Sequence, residues 1–228
     1  MSSDNGPPAY PRIAHLAPGR GTRDDLVLDP DDAAALLAQP VLVEEKLDGA
    51  NVVLWLDDGR VECALRSGVG AADRAGQLGP LRAWTAERSD ALRQLLGDGA
   101  ALYAEWLLVT HTIAYDRLPA HLVGLDLRRP DGTFAPVDER DDALALAGIN
   151  VAPQLWRGTA RAVEAIEGRL GPSAWGPEPA EGVVARSITG TKPRVAKLLR
   201  PGFHRLGDDG WSTGRPRNRL ADREGSWH

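Results

Sequence analysis

The sequence predicts an α+β fold of antiparallel sheets with flanking helices. Three observations carry this. Short apolar runs of strand length recur along the chain, several separated by Asp-Gly or Asp-Asp-Gly hairpin signals. Helical patterns fall between them without the regular strand–helix–strand rhythm of a parallel sheet. No Gly-rich loop of the Walker type follows any strand, so a bound nucleotide would be held by side chains. The 228 residues, 43% of them hydrophobic, suffice for one large domain, or one domain plus a tail.

Residues 1–9 are polar and contain Pro7 and Pro8, and the pattern predicts disorder there. Residues 10–16 read as extended and 18–21 as loop. Asp29 is an N-cap, Pro30 suits the first helical position, and Asp31 and Asp32 favour the first turn of a short helix reaching Gln39. Pro40 ends it. Strands follow at 41–46 and 52–56, meeting across a turn at Asp48-Gly49. Asp57-Asp58-Gly59 leads to a third strand at 61–65, closed by Arg66-Ser67-Gly68. Residues 68–76 form a Gly/Ala-rich loop. Residues 78–96 read as one helix, with Leu81, Trp84, Leu92, Leu95 and Leu96 sharing a face. Gly97-Asp98-Gly99 stops it. Strands are expected at 101–108 and 121–127, separated by a loop carrying His111, Tyr115 and Asp116. A helix at 138–147, capped by Gly148, precedes a strand at 151–156 and a helix at 159–170. After a Pro/Gly loop come strands at 182–187 and 194–199. Beyond Pro201 the pattern dissolves. The expected organisation is a disordered segment 1–9, a domain 10–203 and an Arg-rich tail 204–228.

The net charge is −5, so bulk charge does not mark a nucleic-acid binder. Its distribution is less even: residues 186–219 hold nine Lys/Arg against two Asp/Glu, leaving the remainder at −12. A basic C-terminal third on an acidic body suits a local polyanion site. Cys63 is the single cysteine, which excludes an internal disulfide and a cysteine metal cluster; it is expected to pack as a small hydrophobe. No apolar run is long enough to span a bilayer and no signal-peptide pattern opens the chain, so a soluble cytoplasmic protein without membrane contact is expected.

Only three of the 27 basic residues are lysines: Lys46, Lys192 and Lys197. Where charge alone matters the sequence uses Arg. Lys, unlike Arg, can lose a proton and act as a nucleophile. Lys46 ends an apolar strand just before a tight turn. Glu105 and Asp126 interrupt apolar strands, Glu181 stands at the mouth of another, and Lys197 lies within the last one. Charges in strands are costly unless paired or coordinated, and together these side chains suit a polar cleft.

Lys46-Leu47-Asp48-Gly49-Ala50-Asn51 resembles the KxDGxN motif of covalent nucleotidyltransferases, the superfamily of ATP-dependent ligases and mRNA capping enzymes. Further motifs follow in the same order. Arg66-Ser67-Gly68 resembles the arginine motif, and Tyr103-Ala104-Glu105-Trp106 the strand with a ribose-binding Glu. Leu125-Asp126-Leu127 resembles the Phe-Asp-aliphatic strand, Glu181-Gly182-Val183-Val184 the EGxV motif, and Lys197-Leu198-Leu199-Arg200 the final lysine motif. Tyr10-Pro11-Arg12, His15-Leu16 and the stretch from His111 to Pro119 are similar to the RNA-ligase branch.

The resemblance covers residues 10–203 and implies an ATP-grasp-like nucleotidyltransferase domain without a separate C-terminal domain. It implies that Lys46 attacks the α-phosphorus of ATP to form lysyl-AMP. AMP then passes to a 5′-phosphate, and a 3′-hydroxyl displaces it to seal RNA, nicked or single-stranded, in RNA repair. Glu45, Asp48, Asn51, Arg66, Glu105, Leu125, Lys197 and Arg200 would bind the nucleotide, and Glu181 a divalent Mg²⁺ or Mn²⁺. Two positions depart from the family pattern. Leu125 replaces the base-stacking aromatic. Leu199 stands where a second lysine is usual, and Arg200 follows one residue later, on the other face of a strand. The short C-terminal remainder leads to the expectation that a protein partner supplies a clamp domain, while Arg205, Arg215, Arg217 and Arg219 could track phosphates and Trp211 stack on a base. The residues leave open a DNA nick sealer, a GTP-using capping-type enzyme, and a non-catalytic nucleotide- or RNA-binding subunit.

Overall fold

The computed structural model describes residues 10–18, 26–65, 76–97, 99–189, 194–204 and 215–221. The fold is α+β, built on two five-stranded sheets that meet across a cleft. In chain order the elements are β1 (Ala14–His15), α1 (Pro30–Leu37), β2 (Pro40–Lys46), β3 (Ala50–Asp57), β4 (Arg60–Leu65), α2 (Leu78–Glu87) and α3 (Ser89–Leu96). There follow β5 (Ala101–Trp106), β6 (Leu122–Arg128), α4 (Val137–Leu146), β7 (Asn150–Val151), β8 (Gln154–Thr159), α5 (Val163–Glu167), β9 (Gly182–Ser187) and β10 (Val195–Leu199). One sheet has the order β1-β10-β9-β2-β8, the other β4-β3-β5-β6-β7. All neighbouring strands are antiparallel except β1 with β10 and β6 with β7.

The strand at 41–46 and the strand at 52–56 do not form a hairpin. β2 pairs with β8 and β9, whereas β3 pairs with β4 and β5. Asp48-Gly49 therefore carries the chain from one sheet to the other. The turn has little room: a Cβ on Gly49 would lie 2.7 Å from both Trp106 O and Leu107 Cδ2. Local turn chemistry announces the bend but cannot choose the partner strand.

Period-2 alternation assigns a core to the outer face of each sheet. Val52 and Leu54 of β3 and Leu102, Ala104 and Trp106 of β5 pack against Leu81, Leu92 and Leu96 of α2 and α3. Val41, Val43, Val183, Ala185, Ala196 and Leu198 pack against Leu36 and Leu37 of α1 and Ile166 of α5. Each fully buried Leu or Val contributes about 1.5–3 kcal/mol, so these two layers hold the cleft walls. Asp29 caps α1 as expected, accepting from Asp32 N–H at 2.8 Å. Cys63 is buried in the first layer.

Three other expectations are corrected. The helix expected at 78–96 is two helices that break at Arg88, whose φ is −114° and ψ 17°. Arg88 falls on the face that would have to be buried; the break instead leaves its guanidinium over the Trp84 ring at 4.6 Å. The strand expected at 151–156 splits between the two sheets at Pro153, which lacks an N–H for a ladder and gives its carbonyl to Glu45 N–H at 2.8 Å. The helix expected at 159–170 shrinks to α5: Thr159 extends β8 opposite Pro40, and Arg161 takes a φ of 64°.

Residues 215–221, which composition alone assigns to a tail, lie along the loop between β5 and β6 with bridges Val109 to Arg217 and Leu118 to Leu220.

Candidate active site

The inner faces of the two sheets enclose a cavity of about 300 Å³. Alternation fixes which side chains reach it. With Val41 and Val43 in the outer layer, Lys46 and Glu44 point inward from β2. With Val183 and Ala185 outward, Val184 and Arg186 point inward from β9, and Lys197 joins them from β10, opposite Val184 in the ladder. On the other sheet Asn51 and Glu105 are cross-strand partners, both on the face away from Val52 and Ala104. Leu125 reaches the cavity through a bulge: Tyr103 pairs with Asp126 and Ala104 with Gly124, leaving Leu125 as the extra residue. Residues 10–13 complete the wall.

Lys46 Nζ donates to Glu181 Oε2 at 2.8 Å and lies 3.5 Å from Leu47 O. The Lys46 side chain is 14% exposed and that of Glu181 fully buried, so the amine faces the cavity while its counterion sits behind it. Glu181 precedes Gly182, where a Cβ would lie 2.2 Å from Leu198 O. Only glycine lets β9 and β10 close up beside the pair. Glu105 Oε1 accepts from Gly49 N–H at 3.0 Å, which ties the crossover turn to β5. Asn51 Nδ2 lies 3.5 Å from Ala104 O.

Asp48 does not line the cavity. It is buried, its Oδ2 accepts from Thr112 N–H at 2.6 Å and Ile113 N–H at 2.9 Å, and its own N–H donates to Tyr115 Oη at 2.9 Å. Glu45 lines the cavity and accepts from Ser173 Oγ at 2.6 Å and Ala174 N–H at 2.8 Å. Burial pushes the Glu45 carboxyl above the usual range, against those two bonds. Arg200 lies outside the cavity lining, with its guanidinium over Phe203 at 5.2 Å; the single-residue shift from Leu199 has turned it away. Arg66 lies outside the described residues, as do Arg205 and Trp211.

One network was only partly legible in the sequence. Arg186 donates to Asp126 Oδ1 at 2.6 Å and Oδ2 at 2.8 Å, and to Glu44 Oε2 at 3.1 Å. Arg140 of α4 donates to Glu44 Oε1 at 2.7 Å and to Leu125 O at 2.8 Å. Tyr10 closes the set with a short bond to Asp126 Oδ2 and a ring contact to Tyr103 at 4.9 Å. Burial opposes ionisation of Glu44, yet Arg186 and then Arg140 outweigh it and hold the carboxyl below its usual range. The network crosses both sheets and α4 beside the bulge that presents Leu125. The signals for it were Glu44, a second acid in an apolar strand, and Arg186, two residues beyond Val184 on the same face. Arg140 on α4 gave none.

Among the described residues, no helix is long and apolar enough to cross a membrane.

A family model described as RNA ligase matches residues 39–199, which contain the whole Lys46 crossover, Glu105, Glu181 and Lys197. No curated protein matches the sequence. Among solved structures, the fold is similar to a Naegleria gruberi RNA ligase with pyrophosphate, at a TM-score of 0.57 and 19% identity, over 86% of this chain and 60% of that one. A lysine-to-alanine variant of that ligase with ATP and Mn gives 0.55 and 18%, over 84% and 61%. A glutamate-to-alanine variant with AMP and Mn gives 0.55 and 18%, over 87% and 60%. The chain thus spans about six-tenths of the length of these neighbours. With the family model covering well over half of its residues and both sheets of the cleft, this chain belongs to the RNA ligase family.

Proposed function

We propose that this protein is an ATP-dependent RNA ligase that works through a lysyl-AMP intermediate in cytoplasmic RNA repair. The carrying observation is the amine of Lys46 in the lining of the cleft, held by buried Glu181 at 2.8 Å. An amine used only for charge would not need this fixed placement.

Lys46 Nζ attacks the α-phosphorus of ATP. A nitrogen–phosphorus bond forms, the bond to pyrophosphate breaks, and Glu181 Oε2 stands ready to take the ammonium proton. Lys197, which lines the cavity, offsets the charge on the phosphate as it is approached. Glu105 and Asn51 accept from and orient the ribose, and Leu125 packs on the base. The AMP then passes to an RNA 5′-phosphate, re-forming the free amine, and a 3′-hydroxyl displaces AMP. A divalent cation, Mg²⁺ or Mn²⁺, would take one or two carboxylates and complete its shell with phosphate oxygens and water. Glu181 would hold it only once released by Lys46, since it is fully buried behind that amine and outside the cavity lining, and the described residues contain no group of three metal-binding side chains. When bound the cation neutralises charge on the phosphate oxygens. The RNA runs over the exposed Arg217 and Arg219.

Intact-mass spectrometry after incubation with ATP and Mg²⁺ tests the reading. The wild-type chain gains the mass of one AMP and Lys46→Ala gains none. An adduct that persists on Lys46→Ala, or one formed only with GTP, rejects the assignment.

A further inference from the structure

Residues 215–221 form a strap stitched to the loop between β5 and β6. Thr110 N–H donates to Pro216 O, Asn218 N–H to Leu108 O, Arg219 N–H to Tyr115 O, Leu118 N–H to Arg219 O, and Ala221 N–H to Leu118 O. At its centre Asn218 is 5% exposed. Its Oδ1 accepts from Tyr115 N–H and from Thr110 Oγ1, each at 2.9 Å, and its Nδ2 donates to Leu107 O at 2.8 Å. The loop so held is the one that directs Thr112 N–H, Ile113 N–H and Tyr115 Oη onto Asp48. Asp48 lies two residues from Lys46. A continuous set of short bonds therefore runs from the strap, through the loop and Asp48, to the crossover that carries the nucleophile.

We propose that the strap is a positioning element for Lys46, acting through Asn218. The inference rests on the proposed nucleotidyl transfer. In-line attack needs the amine close to phosphorus and aligned, and a displacement near 1 Å costs about 10²-fold in rate. The Lys46 backbone is the last rung of the β2–β9 ladder, opposite Gly182, and its amine has one short bond, to Glu181, so the turn that follows sets how that strand end is held. Asp48 sets that turn, and Asp48 is itself fixed by backbone N–H groups that stay in place only while the loop does. Asparagine suits the centre of the strap because it supplies two acceptor lone pairs and a donor at once. Aspartate has no donor for Leu107 O, and alanine leaves that carbonyl and Tyr115 N–H without partners.

The test is the rate of AMP-adduct formation against ATP concentration in the full chain with Mg²⁺, with melting followed in parallel. At a temperature where the variant is folded, Asn218→Ala lowers the maximal rate by about tenfold or more while half-saturating ATP stays within about twofold, since the nucleotide pocket is intact and only the attack geometry is lost. Asn218→Asp, which keeps the Oδ1 acceptors, recovers part of the rate. In an Asp48→Asn background, Asn218→Ala adds little, because both act through one path. An unchanged maximal rate, a loss confined to melting temperature, or full additivity with Asp48→Asn overturns the proposal. Thr110→Val removes one bond to Asn218 and serves if Asn218→Ala does not fold; its unchanged rate overturns the proposal equally. Absence of any adduct on the wild-type chain overturns the nucleotidyl-transfer reading together with this one, whereas an adduct of normal rate on Asn218→Ala overturns this one alone.

Discussion

Arg186 is 2% exposed and lies between two carboxylates, Glu44 and Asp126, that are each 3% exposed. Charges so placed persist only because each satisfies the others, and removing one member strands the rest. Arg186→Ala leaves two buried carboxylates without their shared cation and is expected to cost about 3–5 kcal/mol, read as a shift in the urea midpoint. The network also sets a pH dependence. The folded Glu44 carboxyl lies below its usual range because Arg186 and Arg140 overcome the burial penalty. Its stabilisation is present above the ordinary glutamate range and is lost as pH falls through the lowered value. Glu45 has the opposite sign: burial raises it, so its contribution falls as pH rises from the ordinary range to the raised value. Unfolding midpoints measured from neutral pH downwards should drop below the ordinary glutamate range, and Glu44→Gln should flatten that drop. A Glu44→Gln profile parallel to wild type would show that other groups control acid unfolding.

The motif-bearing elements owe their roles to ladder position. β9 brings Glu181 to Lys46 because Gly182 allows backbone contact with Leu198, and β6 brings Leu125 inward because a bulge inserts one residue. The resemblance to nucleotidyltransferase motifs pointed to the acid, the glycine and the aliphatic residue; it did not show that a bulge was needed. At this scale the strap is a display element as well as a brace. Its backbone bonds hold Arg217 and Arg219 on a fixed, exposed edge, so less order has to be imposed when they meet an anion. Reversing both to Glu should weaken RNA binding about equally for unrelated sequences and lower the salt dependence by about 0.7 per lost phosphate contact on a single strand. Filter binding across a salt series reads both quantities; an unchanged slope would remove the strap from the RNA path.

The described residues form two sheets with outer cores and an inner cleft in which charged side chains adjoin a cluster of Val53, Tyr103 and Tyr10, and a ligand in the cleft touches both sheets. ATP with Mg²⁺ should therefore stabilise the entire fold, by about 2.7 kcal/mol at 100 times the dissociation constant. The shift should persist in Lys46→Ala, which binds without forming the adduct; thermal melting with and without ATP is the measurement, and no shift in either protein would deny the cleft its ligand. The sequence by itself determined the α+β class, most strand positions and the N-cap of α1, because alternation and turn chemistry are local properties; the cavity-lining candidates Glu45, Lys46, Asn51, Glu105, Leu125 and Lys197 were marked by motifs that resemble those of nucleotidyltransferases. The tertiary structure decided what depends on contacts between distant residues. It separated β2 from β3 into different sheets, divided the helix at Arg88, moved Arg200 off the cavity and Asp48 behind it, and joined Glu44, Asp126, Arg140 and Arg186 into one network. It also turned residues 215–221 from an unpatterned tail into the strap over the Asp48 loop, since Asn218 finds its partners more than a hundred residues away.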